Sequence, residues 1–568
     1  MTDNRSLALA WISDDPDPET RAAATAMLDD SAALSEHFGA RLSFGTAGLR
    51  GALGPGPNRM NRAWVRRVSA GLAAHLIEAH GGGTVVVGYD ARRNSTVFAE
   101  DTARVLAGAG LTVRLFDGIC PTPELAHAVV FHGAVAGVMV TASHNPPQDN
   151  GYKVYADSGA QIVPPTDARI ADGIPESLAA VAVPALADLR AEGRVSPPDP
   201  AAGEAWLSGA LALRVHTGAT IPVVYTPMHG VGRDRTVELL ARAGHHDVAV
   251  VPEQGEPDGT FPTVSFPNPE EPGALDLAIA HAERVGASLI IANDPDADRL
   301  AVALPHAGRW IRLTGNEVGV LLAEDLLAHG PKDKPRMVAT TIVSTSLLAR
   351  IAAVHGAHYA ETLTGFKWIG LEAIAFDAAG GQFVLGFEEA IGYSAGSLVR
   401  DKDGISTALL LVDLAAHLAS RGQTLLDALE DLARRFGVHA TRQRSVRLPG
   451  AAGAATIRAA MDALRASPPD TFDGVAVVRH RDLLEGVAVD RVADTRTPLT
   501  LPPSNVLGYE LEDGRTLLVR PSGTEPKLKF YAEAREALGA GGSNAAAEVA
   551  AAAADRLLDA VSSLTGLG

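Results

Sequence analysis

Ser143 stands in the segment TASHNPP (141–147), directly after the apolar run Ala136–Val140, which reads as a buried strand by its length and valine content. Prolines and the pair Asn150-Gly151 keep the turn beyond that strand out of regular structure. The hydroxyl is therefore offered at the end of a core strand, with His144 beside it and Lys153 a few residues on. A serine is a poor nucleophile at its own pKa and needs a base, a metal or an attached phosphate. A second loop, DPDADR (294–299), lies between the apolar runs 289–292 and 300–304, which read as adjacent strands. Asp294, Asp296 and Asp298, spaced two apart, can converge on one hard cation, and oxygen ligands suit Mg²⁺. An EF-hand would need Gly at its sixth position and Glu at its twelfth, where Arg299 and Pro305 stand.

Two more loops share this strand–loop setting. FVLGFEEAIGY (383–393) brings Glu388 and Glu389 out of an apolar strand, and RPSGTEP (520–526) sits between the runs 516–519 and 527–531. Arg520, Ser522, Gly523 and Thr524 supply a guanidinium fork, two hydroxyls and free backbone N–H groups, a combination that binds a phosphate monoester. Near the N-terminus FGTAGLRG (44–51) adds a glycine-rich loop with one cation, Arg50. It lacks the Lys-Ser/Thr ending of a P-loop, so ATP is not implied, and no dinucleotide fingerprint follows a strand.

The elements that must position these loops repeat one plan. Strand, loop, helix and strand recur at 84–115, at 221–251 and at 337–360, as βαβ units of parallel or mixed sheets. The proline-rich stretch 195–203 reads as a linker, and the pattern changes to strand, helix, strands, helix after about residue 440. The expected division is 1–204, 205–322, 323–439 and 440–568, the last part closing on an Ala-rich helix at 544–564.

Composition narrows the function classes. The chain has 568 residues, 46% of them hydrophobic, with a formal net charge of −18 and one cysteine, Cys120. The charge argues against a nucleic-acid surface, which needs clustered Lys and Arg, but not against a small anionic ligand. No apolar run of roughly 18 residues occurs, so no membrane span is expected. The acidic first twenty residues lack the basic start of a signal peptide, and a cytoplasmic location is expected.

The motifs FGTAGLRG, TASHNPPQDNGYKVY, DPDADR, GFEEAIGY and RPSGTEPKLKFY, in this order, resemble the α-D-phosphohexomutase superfamily over almost the whole chain. That resemblance implies four domains around a central cleft: three related α/β domains with mixed sheets, and a C-terminal α+β domain. It implies an intramolecular phosphotransferase in which a phosphorylated Ser143 gives its phosphoryl group to a sugar monophosphate and recovers the other from the bisphosphate. Mg²⁺ is then held by Asp294, Asp296, Asp298 and an oxygen on Ser143, with a sugar bisphosphate such as glucose 1,6-bisphosphate as activator. Arg50, His144 and Lys153 become proton-transfer or charge-stabilising groups, Lys153 and Arg50 foremost. Arg299, Lys367, Glu388, Glu389 and Lys402 face the substrate, and Arg520, Ser522, Gly523 and Thr524 grip the non-reacting phosphate. Many hexose-phosphate mutases carry Glu-x-Ser in the sugar loop, whereas this chain has Ala390 at the serine position. EEAIGY together with ETLTGFKW (361–368) is similar to the branch of phosphopentomutases and glucose-1,6-bisphosphate synthases. The expected reaction joins glucose 1-phosphate and glucose 6-phosphate, with ribose 1-phosphate/ribose 5-phosphate or mannose phosphates as alternatives. A sugar-phosphate phosphatase and a non-catalytic binder are the competing classes.

Overall fold

The computed structural model describes residues 3–44, 48–448, 450–522, 527–539 and 541–566. Buried runs build the centres of three sheets, valine- and isoleucine-rich in the first two, because a parallel strand covered on both faces must shed most of its polar side chains. In the first domain β1 (Leu49–Ala52), β2 (Thr84–Tyr89), β3 (Thr112–Leu115), β4 (Ala136–Val140), β5 (Asp149–Ala156) and β6 (Val195–Ser196) lie in the order β1-β5-β4-β2-β3-β6. Here β4, β2, β3 and β6 run parallel, while β5 pairs antiparallel with both β4 and β1. The second sheet holds β7 (Val223–Thr226), β8 (Val248–Val250), β9 (Leu289–Ala292), β10 (Ala301–His306) and β11 (Arg309–Leu313), in the order β11-β10-β9-β7-β8. The third holds β12 (Arg336–Thr341), β13 (His358–Thr362), β14 (Gln382–Glu388) and β15 (Gly392–Ala395), in the order β13-β12-β14-β15. All three are mixed, as the sequence implies.

One design recurs where it matters. In each sheet a parallel strand turns back into an antiparallel neighbour, giving the hairpins β4–β5, β9–β10 and β14–β15. The hairpin loops are the serine, aspartate and glutamate loops. Each contains one non-glycine residue in the left-handed region: Ser143 (φ 50°), Ala297 (φ 58°) and Ile391 (φ 53°). Such a conformation is uncommon outside glycine and is an outlier for a β-branched residue, so packing must hold these loops in place. The fourth domain is different, with the antiparallel strands β16 (Val438–Arg447), β17 (Thr471–Phe472), β18 (Val475–Asp482), β19 (Val487–Asp490), β20 (Thr495–Pro498), β21 (Leu507–Leu511), β22 (Thr516–Pro521) and β23 (Lys527–Glu536), and helices Gly450–Ala466 and Gly542–Thr565.

One feature adds to the sequence reading and one departs from it. The acidic N-terminus is a set of three helices, Asn4–Asp14, Pro18–Ala26 and Ser31–Phe38, whose first turns are capped by the side chains of Asp3, Asp17 and Asp30. The stretch 195–203 is the edge strand β6 followed by helix Pro200–Ala212, with proline at the first helical position. One continuous hydrophobic core underlies the second and third domains and takes in Leu125 and Val129 from the first. The first and fourth domains also have cores of their own. A small cluster that includes Ile342, Leu363, Val506 and Tyr531 joins the fourth domain to the third. No helix among the described residues is long and apolar enough to cross a membrane.

Candidate active site

The loop after β4 is built around its backbone. The Ser143 N–H donates to Thr141 Oγ1 (2.8 Å), which turns the chain at the strand end. Below it lies Arg92, 3% exposed, whose guanidinium donates to the carbonyl oxygens of Ser143, Asn145, Pro146 and Asp149. Arg92 is itself held by Asp90 (3.4 Å) and by the ring of Phe261, 4.8 Å from the guanidinium carbon. Sequence reasoning missed this residue. Its signal was the segment YDARR (89–93), which leaves β2 at the same end of the sheet as the serine loop leaves β4.

The Ser143 hydroxyl, 1% exposed, donates to Asp294 Oδ2 at 2.7 Å and lies 3.2 Å from His144 Nδ1. Burial, with Arg299 and Arg50 nearby, holds His144 well below the ordinary histidine range. Asp294, Asp296 and Asp298 are fully buried, and one oxygen of each lies within 4.8 Å of the others. Burial and the two neighbouring carboxylates push Asp294 well above the usual carboxylate value. Lys153, in β5, donates to Asp296 Oδ2 and to Asp298 Oδ2, both at 2.7 Å, and Thr122 Oγ1 donates to Asp296 Oδ2 at 2.8 Å. Burial alone would lower Lys153, but the two aspartates outweigh it and raise it, so this amine is an ammonium. Burial would raise Asp298, yet Lys153, Lys402 and Arg299 together hold it far below the usual range. Asp296 Oδ1 and Asp298 Oδ1 are buried with no hydrogen-bond partner among the described residues. Two orphaned carboxylate oxygens in a triad of oxygen donors fit a hard divalent cation.

A cavity of about 560 Å³ opens over this loop and draws lining from all four domains. Arg50, Ser143 and His144 come from the first, Asp298 and Arg299 from the second, Glu388, Glu389 and Lys402 from the third, and Arg520 and Ser522 from the fourth. Glu388 Oε1 accepts from the Gly365 N–H at 2.9 Å. Glu389 leans on the hydroxyls of Ser344 (3.2 Å) and Thr341 (3.4 Å), so its carboxylate is tied to its own domain. Lys402 Nζ lies 3.3 Å from Asp298 Oδ2, and its stem fills the space that a Cβ at Gly392 would need. The Lys402 backbone is fixed through Asp401, which accepts from Tyr155 and Gln161 of the first domain. Lys367 is buried with its amine 5.9 Å from the Trp368 ring centre, and it is not among the described residues lining the cavity. Gly523 and Thr524 lie outside the described residues. Lys527, Lys529 and Tyr531, which close the motif RPSGTEPKLKFY, also line the cavity, as do Glu270 and Gln443, to which no motif pointed. The Leu300 N–H donates to the Ile391 carbonyl (3.0 Å), which stitches the aspartate loop to the glutamate loop.

The chain matches four sequence profiles of one family: phosphoglucomutase/phosphomannomutase alpha/beta/alpha domain I at residues 41–179, domain II at 206–308, domain III at 314–436 and the C-terminal domain at 455–552. A Haemophilus influenzae protein named as a probable phosphomannomutase is 44% identical over 482 residues, which cover 84% of this chain and 93% of that protein. A Schizosaccharomyces pombe protein named as a probable phosphoribomutase is 36% identical over 548 residues, 92% of each chain. Among solved structures, a Thermus thermophilus protein assigned as a phosphomannomutase superposes with a TM-score of 0.67 at 25% identity, over 93% of this chain and 99% of that one.

Proposed function

Because this chain belongs to the phosphoglucomutase/phosphomannomutase family, we propose that it is a Mg²⁺-dependent phosphosugar mutase working through a phosphorylated Ser143. The observation that carries this reading is the Ser143 hydroxyl 2.7 Å from Asp294, across one cavity from Arg520 and Ser522. In the phosphorylated enzyme, the P–Oγ bond of Ser143 breaks as a sugar hydroxyl forms its own bond to phosphorus, and the hydroxyl proton passes to a base. His144 offers the nearest neutral ring nitrogen, 3.2 Å from the seryl oxygen. Lys153, already an ammonium, and Arg50 stabilise charge on the transferring group. When bound, Mg²⁺ supplies Lewis-acid stabilisation of that charge, and Asp294, Asp296 and Asp298 would hold it. Arg520 and Ser522 hold the phosphate that is not reacting, while Glu388 and Lys402 meet sugar hydroxyls. The bisphosphate turns over in the cleft and returns its other phosphoryl group to Ser143, so a sugar bisphosphate such as glucose 1,6-bisphosphate primes the enzyme.

Glucose 1-phosphate and glucose 6-phosphate are the proposed pair. A second reading, ribose 1-phosphate and ribose 5-phosphate, is favoured by Ala390, which gives the sugar loop no hydroxyl at the cavity wall, and by the likeness to the fission-yeast protein. Mass analysis of active enzyme should find phosphate on Ser143, and Ser143→Ala should abolish turnover of glucose, ribose and mannose 1-phosphates alike. Full activity in the alanine variant overturns the mechanism. Ribose turnover far above glucose turnover in the wild type replaces the first sugar with the second.

A further inference from the structure

Outside the residues that line the cleft, two histidines flank one buried carboxylate and a third stacks on one of them. Asp325 lies on helix Gly315–His329, and its Oδ1 is 2.7 Å from His216 Nε2 and 2.9 Å from Nδ1 of His329, one helical turn further on. These three donor atoms all lie within 4.8 Å of one another. His417, in the last turn of helix Gly404–Ala419, stacks on the His216 ring at 3.9 Å with planes 9° apart, which fixes the orientation of that imidazole. We propose that His216, Asp325 and His329 form a second metal site, for a divalent transition cation of the zinc class.

The chemistry favours such a cation over Mg²⁺, because two imidazole nitrogens and one carboxylate are borderline donors rather than hard ones. Metal–ligand bonds of about 2.0–2.1 Å set tetrahedral ligand atoms roughly 3.3 Å apart. Opening the two hydrogen bonds by about half an ångström reaches that spacing, and the cation takes the place of the protons they share. His329 and His417 both sit at helix C-termini, where unpaired carbonyls concentrate negative partial charge and favour a cation. The nearby Arg214 does not oppose it, since its guanidinium is already paired twice with Asp413 (2.7 and 2.8 Å). Access is open: His329 is 48% exposed at the side chain and lines an adjoining cavity of about 400 Å³ beside Arg214, Val215 and Gly330. A metal there would tie the segment that joins the first two sheets to the long helix that opens the third domain.

The probe is Co²⁺, followed by visible absorption and calorimetry on the full chain carrying Asp296→Asn, which disables the carboxylate loop. One saturable event per chain is expected, with the intense absorption of nitrogen-bound cobalt. Its affinity should rise with pH as imidazole protons are displaced. Adding His329→Gln, a change at a half-exposed position, should weaken it at least tenfold with the circular dichroism spectrum unchanged, and His216→Gln likewise. Absence of the event, or its survival unchanged in the His329→Gln protein, overturns the proposal.

Discussion

At the scale of the residue, the serine proposed to carry the phosphoryl group is held by a side chain that is not among the described residues lining the cavity. Arg92 gathers four carbonyls of the serine loop into one guanidinium and leaves Ser143 Oγ aimed at Asp294. A lysine ammonium is a point charge and cannot span the same four oxygens. Arg92→Lys should therefore lower kcat roughly 10–100-fold, the cost of a misplacement near 1 Å, while KM and the circular dichroism spectrum stay close to wild type. A parallel rise in KM would mean that the cleft as a whole had moved. Residues of this kind mark the limit of the letters. Ser143, the three aspartates and Arg520 were legible because each stands in a compact motif between apolar runs. Arg92 was not, because its partners lie more than fifty residues along the chain and are backbone atoms without a motif. The pairing of Lys153 with two aspartates was equally hidden, and it favours the charge-stabilising of the two roles expected of this residue.

At the scale of the element, the three hairpins show how one local plan is put to three uses. Their strands were legible from apolar runs. The left-handed residues Ser143, Ala297 and Ile391 were not, since none is a glycine. What holds the glutamate loop is the first turn of helix Gly315–His329. A Cβ at Gly315 would come within 2.1 Å of the Glu389 carbonyl oxygen and 2.8 Å of the Ile391 nitrogen. Gly315→Ala must push the loop outward, because the atoms it meets are backbone and cannot swing aside. The expected result is a several-fold higher KM for the sugar phosphate, with phosphorylation of Ser143 by a sugar bisphosphate still detectable by mass spectrometry. Loss of both would place the damage in the fold rather than in the sugar loop. The N-terminal helices taught the opposite lesson. Asp3, Asp17 and Asp30 were visible as acidic letters, but their work as helix caps emerged only with the backbone.

At the scale of the whole molecule, the division into three related sheets and a different fourth domain was legible, whereas the contacts across domains were not. The fourth domain meets the third through a small apolar cluster, an ion pair between Arg481 and Glu361, a hydrogen bond from Asn316 to Thr441, and one buried carboxylate, Glu533. Glu533 accepts from Thr345 Oγ1 (2.6 Å) and from the Ser346 N–H (3.1 Å), and it pairs with His439 (3.2 Å). Burial would raise its pKa, but the His439 bond and the Thr345 and Ser346 donors outweigh burial and lower it from 4.5. A depressed carboxylate stabilises the folded state above its unfolded value, here about pH 4.5, and that stabilisation is lost as pH falls through the lower folded value. Acid should thus loosen the fourth domain, read as faster hydrogen exchange in 438–536. Glu533→Gln should bring that loosening to neutral pH, at a cost of about 1.5–3 kcal/mol for hydrogen bonds to a charged group. Unchanged exchange in the variant would place the attachment in the apolar cluster and the Arg481–Glu361 pair instead. The same scale sets how a ligand arrives. The molecule carries a net charge of −18, yet among the described residues one cavity is faced by six cations, Arg50, Arg299, Lys402, Arg520, Lys527 and Lys529, against five carboxylates, Glu270, Glu271, Asp298, Glu388 and Glu389. Its wall is slightly positive where the whole is strongly negative. From a distance a sugar phosphate meets a repelling body; within a Debye length of the mouth, roughly 8 Å at physiological ionic strength, it meets an attracting one. Added salt lowers the outer barrier and flattens the inner well together, so the encounter rate should respond to salt only weakly, where an all-attractive surface would lose it steeply.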